Sequence, residues 1–168
     1  MTELDRSQAK PKQSWCPSGD PHAPETVVLG VQSYERGEVT YLAQPIPAAE
    51  ALSLIPEGIA PSRILRFASH CESSCSNRVG DDCGLINRML AIPVADTSDA
   101  AVPRCHLRAH CKWWEQVGKQ ACLRCPAVST LHAVDDEFGE LIANPETTRE
   151  QLDAWIAENP TASLSVRH

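Results

Sequence analysis

No stretch of this 168-residue chain is apolar over the length needed to cross a bilayer. The first fifteen residues, MTELDRSQAKPKQSW, lack the apolar core of a secretory leader, so the expected compartment is the cytoplasm. No segment reads as a phosphate-binding glycine loop or a nucleophilic serine motif, and no fixed-period repeat is visible. The apolar fraction, 42%, is slightly low, while 13 prolines are many for this length. The length suits one ordinary core or two small subdomains. These features predict a compact, loop-rich protein that draws part of its stability from bound metal.

What the chain has instead is cysteine. Seven of its eight cysteines fall between residues 71 and 125. Four of them, Cys105, Cys111, Cys122 and Cys125, form C-x5-C-x10-C-x2-C-P. Cys71, Cys75 and Cys83 form a second group, and Cys16 stands alone. Free cysteines have no packing reason to gather in this way, whereas thiolate ligands do. In a reducing cytoplasm this density points to metal or redox chemistry, with structural disulfides as the alternative for an exported chain.

Helix geometry limits how these ligands can meet. Positions i and i+6 lie about 120° and about 9 Å apart on a helix, so Cys105 and Cys111 cannot serve one small site from one straight helix. A bend is expected between them. Residues 112–121, with Trp113, Trp114 and Gly118, are expected to form a helix that leaves the site and returns. Cys122 and Cys125 are close enough for a helical turn or a tight knuckle. Cys83 falls at the start of an expected helix, where the dipole and free amides favour a thiolate and lower its pKa. Cys71 and Cys75, four apart, can share a site within one turn.

Structural zinc commonly uses two short C-x2-4-C knuckles. Here Cys122–Cys125 is the clear one, the Cys71–Cys75 pair is a second, and the remaining spacings are irregular. Iron–sulfur clusters accept ligands from separate loops, which suits this pattern. Pro126 after Cys125 resembles the C-P ending of bacterial ferredoxin motifs, without their compact C-x2-C-x2-C run. The resemblance implies cluster binding and nothing more. The expected cofactor is a [4Fe-4S] cluster on Cys105, Cys111, Cys122 and Cys125. A second would lie on Cys71, Cys75 and Cys83 with a fourth ligand, Cys16 by preference, or else His70 or an exogenous molecule. Zinc is the alternative metal, and crossed ligand sets are a further arrangement.

Other residues have simpler readings. His70, His106 and His110 flank cysteines but suit surface or hydrogen-bonding roles. Trp113 and Trp114 can shield a cluster, though core packing explains at least one of them. A thioredoxin-type pair at Cys122 and Cys125 would need a βαβ context that is not apparent, and Pro126 excludes the usual covalent haem motif. Asp135, Asp136 and Glu137 fit the start of a helix, where the dipole favours acids.

The net charge of −7 is uneven: residues 61–125 carry nine basic and six acidic side chains in an otherwise acidic chain. Arginines there can compensate thiolate charge or face an acidic partner, and a solvated surface is the plain alternative. The overall acidity argues against nonspecific nucleic-acid binding. The acidic flanks suit docking to a basic protein partner, a redox enzyme, and nothing suggests a membrane.

The expected fold class is α+β. Residues 1–14 read as a disordered tail and 15–168 as one metal-binding domain, with its cysteine-rich core at 70–126. SWCPSGDPHAPE reads as an extended surface segment. Val27–Val31 and Val39–Leu42 form a small antiparallel hairpin around Glu35–Glu38, with a short helix over 48–55 and a strand over 63–67. Asp81 or Asp82 caps a helix over 82–91, and Pro103 opens one carrying Leu107, Trp114 and Val117. C-terminal helices follow, one with Phe138, Leu141 and Ile142, the other entered through a Thr147-x-x-Glu150 capping box. The function expected is electron transfer or redox sensing as an accessory to a larger enzyme. The alternatives are a zinc-stabilised interaction module and an enzyme with an open-site cluster.

Overall fold

The computed structural model describes residues 14–32, 39–93, 102, 104–128 and 137–159. A four-stranded antiparallel sheet occupies the N-terminal half, in the order β1-β4-β2-β3. Its strands are β1 (Trp15–Cys16), β2 (Val27–Gln32), β3 (Val39–Pro47) and β4 (Leu65–His70). The fold is α+β, with its helices toward the C-terminus. None of the helices among the described residues is long and apolar enough to cross a membrane.

Both faces of the central strands are covered. Val28 and Phe67 pack on one face with Ala48 of α1 (Ala48–Leu52). Leu29 and Ala68 point the other way, into a larger core with Leu85, Ile86, Met89, Trp113, Phe138 and Leu152. Side chains alternate along a strand, so Arg66 shares the inner face with Ala68. It is only 2% exposed.

After β4 come a two-stranded hairpin, β5 (Arg78–Val79) and β6 (Asp82–Cys83), and α2 (Gly84–Met89). A 3-10 turn at Arg108–His110 leads into α3 (Lys112–Val117) and α4 (Lys119–Arg124). Gly118, with φ +67°, joins these two helices in a conformation that only glycine adopts freely. The C-terminal pair is α5 (Glu137–Ala143) and α6 (Arg149–Glu158). Phe138 stacks on Trp155 across that pair, with ring centroids 5.0 Å apart.

Several local expectations need correction. Segment 14–25 is not simply laid over the surface: Trp15 and Cys16 pair with β4, and Pro17, Ser18 and Gly19 are buried. The third strand begins at Leu65 and runs on to His70. Cys83, rather than Asp81 or Asp82, occupies the N-cap of α2, although it also pairs with Arg78 in the β5–β6 ladder. Thr148, rather than Thr147, caps α6. Its hydroxyl accepts from the Gln151 amide while the Gln151 side chain accepts from the Thr148 amide. Thr147 is buried, and its amide is already donated to Asn144. Residues 1–13 of the tail, the 35–38 turn, Pro103, Asp135 and Asp136 lie outside the described residues, whereas Ser14 is held by hydrogen bonds to Cys71 and Glu115.

Gly19 marks the tightest approach near the sheet. Its amide donates to the Phe67 carbonyl at 2.9 Å, and a Cβ there would lie 2.3 Å from the Ser69 amide nitrogen. Gly19→Ala is expected to destabilise the protein by about 2–3 kcal/mol through overpacking. The check is a lower urea midpoint with an unchanged slope.

Candidate metal centre

The sheet and the hairpin after it gather four cysteines from distant parts of the chain. Cys16 lies on β1 opposite Ser69, and the Cys71 amide extends that pairing by donating to the Ser14 carbonyl at 2.9 Å. Successive turns, Cys75 amide to Glu72 carbonyl and Arg78 amide to Cys75 carbonyl, fold the chain back toward β5. Arg78 then pairs with Cys83. The thiols respond to one another. Cys16 feels the charge of Cys83 and Cys71, and Cys83 that of Cys71 and Cys75. Cys75 is exposed and the other three are half-buried.

The second set comes from residues 105–125. Cys105 precedes the 3-10 turn and Cys111 follows it, so the bend required between them is present. Gly118 then reverses the chain, bringing Cys122 on α4 and Cys125 at its C-cap back toward Cys111. Cys105 and Cys111 each feel the charge of Cys122 and Cys125. Cys111 and Cys125 are buried.

Arginines address the sulfurs in both sets. Arg78 donates to Cys71 Sγ at 3.7 Å, and Arg66 donates to Cys125 Sγ at 3.7 Å. Arg108 hydrogen-bonds the Cys122 thiol and lowers its pKa, against the burial that raises it. Burial lowers the Arg88 pKa, and Cys83 acts in the opposite direction. Trp113, 2% exposed, lies under Arg66 with its ring 5.8 Å from the guanidinium carbon. Trp114 receives Arg108 in the same way at 5.4 Å. The half-buried Tyr41 has its pKa driven upward, chiefly by desolvation, and its hydroxyl hydrogen-bonds Cys125.

Backbone amides also face the thiols. The Leu85 and Ile86 amides pull the Cys83 pKa down, and those of Trp114 and Trp113 do the same for Cys111. The expectation that a helix start lowers the Cys83 pKa is therefore overturned: burial outweighs the amides, and the pKa rises.

The two sets share one scaffold. Trp15, beside Cys16, forms a parallel bridge with Cys111. Gln116 on α3 accepts from the Cys83 amide at 2.9 Å and donates to its carbonyl at 3.2 Å. Arg66 donates to the Pro17 carbonyl at 2.6 Å and the Cys125 carbonyl at 2.9 Å.

The flanking histidines have other neighbours. The His70 ring meets Trp15 edge-on at 4.6 Å, and its Nδ1 is 3.8 Å from Glu25. The His106 pKa is lowered by burial, and its buried Nε2 has no hydrogen-bond partner among the described residues. His110 closes the 3-10 turn between Cys105 and Cys111.

Among the described residues, no three His, Cys, Asp or Glu side chains are placed to hold a metal ion. Tetrahedral zinc, with bonds of about 2.3 Å, would need its sulfurs within about 4 Å of one another. The donor chemistry fits a thiolate-bound group: eight thiols in two sets, with cationic and amide donors around them. No known protein family, curated protein or solved structure matches this chain.

Arg66, Arg108, Tyr41 and Gln116 are the residues that sequence reasoning passed over. The basic character of residues 61–125 was the available signal for the arginines. Tyr41 and Gln116 carried none, since an isolated tyrosine in a strand and an isolated glutamine in a helix are ordinary.

Burial raises Cys16 and Cys111 from the ordinary 9.0 to about 12 in the metal-free fold. A folded pKa above the unfolded one means that the neutral thiol favours folding. That contribution is complete below pH 9 and disappears as pH rises toward 12. The urea midpoint of metal-free protein is expected to fall over this range. The fall should be shallower in Cys111→Ser, and an equally steep fall there would contradict the assignment.

Proposed function

We propose that this chain is a cytoplasmic iron–sulfur protein with two [4Fe-4S] clusters. One is held by Cys16, Cys71, Cys75 and Cys83, and the other by Cys105, Cys111, Cys122 and Cys125. It carries or senses electrons as an accessory to a larger redox enzyme, whose basic surface meets the acidic flanks of the chain. The observation that carries the reading is that arginines donate to sulfur in both sets of four thiols. Zinc is the second metal reading, because the irregular spacing between the cysteines suits it less than it suits a cluster.

A bound cluster supplies reversible one-electron chemistry. The chain's own residues create the conditions for it. Arg66 and Arg108 at the second set, with Arg78 at the first, oppose the negative charge of ligated thiolates. Trp113 and the buried Cys111 and Cys125 keep water from the second set. A metal deprotonates a coordinating thiol outright, so loading reverses the preference of these buried thiols for their protons. At the first set, the exposed Cys75 is where a protein ligand is most readily replaced by a small molecule. That exposure favours an open-site enzyme as a second reading.

Protein purified without oxygen is expected to be brown, with about eight iron and eight sulfide per chain. Cys16→Ser and Cys122→Ser should each remove about half of the iron, from different sets. A colourless protein holding stoichiometric zinc would sink the redox reading, and unchanged iron in Cys16→Ser would remove Cys16 from the first set. If Cys75→Ser keeps its full iron content and gains a small-molecule-sensitive spectrum, the open-site reading takes precedence.

A further inference from the structure

The C-terminal helix pair carries a feature that the cysteines do not explain. Residues 137–159 hold six acidic side chains and one basic one. Between α5 and α6 they form an open groove of about 280 Å³. Leu141 and the half-buried Trp155 are its apolar walls, and Glu137, Glu140 and Asn144 its polar ones. Phe138 stacks on Trp155 with the two rings 28° apart, which holds the indole in place at the groove.

The dipole of α5 accounts for acids at its start, wherever they stand around the helix. It does not account for their alignment with an apolar wall. Glu137, Glu140, Leu141 and Asn144 follow one another at i, i+3, i+4 and i+7, the spacing of a single helical face, and that face lines the groove. Neither glutamate is ion-paired among the described residues, whereas Asp153 on α6 is paired with Arg149. Asn144 accepts from the Glu146 amide through Oδ1, and its Nδ2 donates to no other described residue.

We infer that this groove is a docking site for a lysine- or arginine-bearing peptide segment of a protein partner. The long stem of the basic side chain lies along Leu141 and Trp155, and its cationic head meets the indole ring and the two carboxylates. Asn144 Nδ2 donates to a backbone carbonyl of the same segment. A volume at the bottom of the small-molecule range, with its acids on an exposed rim, suits a side chain delivered by a peptide better than a free ligand, which needs most of its surface enclosed. Further basic residues of the partner then face the remaining acids of 137–159. The inference rests only on the basic partner named in the function proposed above, and none of the lining residues belongs to either cysteine set.

The test is a titration of the full chain with a short blocked peptide of alternating arginine and leucine. Affinity is read by fluorescence anisotropy of the labelled peptide. The site is read by NMR at the Trp155 indole N–H, identified by its loss in Trp155→Phe. Saturable binding that shifts this signal is expected. Glu137→Gln combined with Glu140→Gln should weaken it about tenfold. Glu146→Gln combined with Glu150→Gln makes the same charge change outside the groove and should weaken it about twofold or less. All four glutamates are exposed, so both variants keep the fold. Equal weakening in the two variants would overturn the site and leave only general acidity. Binding with no shift at Trp155, or no saturable binding, would overturn it too. N-acetylarginine amide bound as tightly as the peptide would replace the peptide occupant with a small cation. None of these outcomes needs bound metal, so the iron and sulfide content of the same preparation reports separately on the cluster reading.

Discussion

Taking a guanidinium out of water costs several kcal/mol unless its protons are matched and its charge is opposed. Arg66 meets the first condition with two backbone carbonyls and a sulfur. The second falls to Cys125, whose sulfur it touches, and to Cys16, which feels its charge. Much of the architecture follows from this constraint. β4 must present an inner face at Arg66, the chain at Pro17 must come close enough to accept from it, and α4 must end with Cys125 in reach. The two peptide segments that accept from it lie 49 and 59 residues from Arg66, and the guanidinium ties both to β4.

The β2–β3 hairpin and part of β4 were legible in the chain, whereas β1 was not. Alternating valines around a turn specify β2 and β3, and prolines mark the ends of the short helices. The bend between Cys105 and Cys111 and the reversal near Gly118 followed from helix geometry alone, because a spacing of six cannot share a helical face. What could not be read was the environment of Arg66. In Leu65-Arg66-Phe67 the alternation of apolar and charged residues describes a half-buried strand with arginine in solvent. The cover on the other face comes from residues 105–125, far along the chain, so local pattern carries no trace of it.

The same limit explains the errors at element ends. α2 starts after Cys83, where the β5–β6 ladder ends, and that boundary is a tertiary fact that capping preference cannot supply. The helix start was expected to lower the Cys83 pKa, and the amides do act in that direction. Burial by the surrounding core reverses the net effect, and burial is a property of the assembled fold. Thr148 in place of Thr147 is the same kind of error, displaced by one residue because Asn144 already engages the Thr147 amide.

The two cysteine sets differ in how much chain must be ordered before they exist. The second draws all four thiols from residues 105–125, and its loop closures are short. The first needs Cys16 to meet Cys83 across the whole N-terminal sheet. Loop closure of that kind is paid in chain entropy before any contact rewards it, so non-local sites form slowly. Everything that brings Cys16 to the first set passes through β1, two residues long at the edge of the sheet, so a loss confined to that edge would separate Cys16 from Cys71 and Cys83 while leaving residues 105–125 in place.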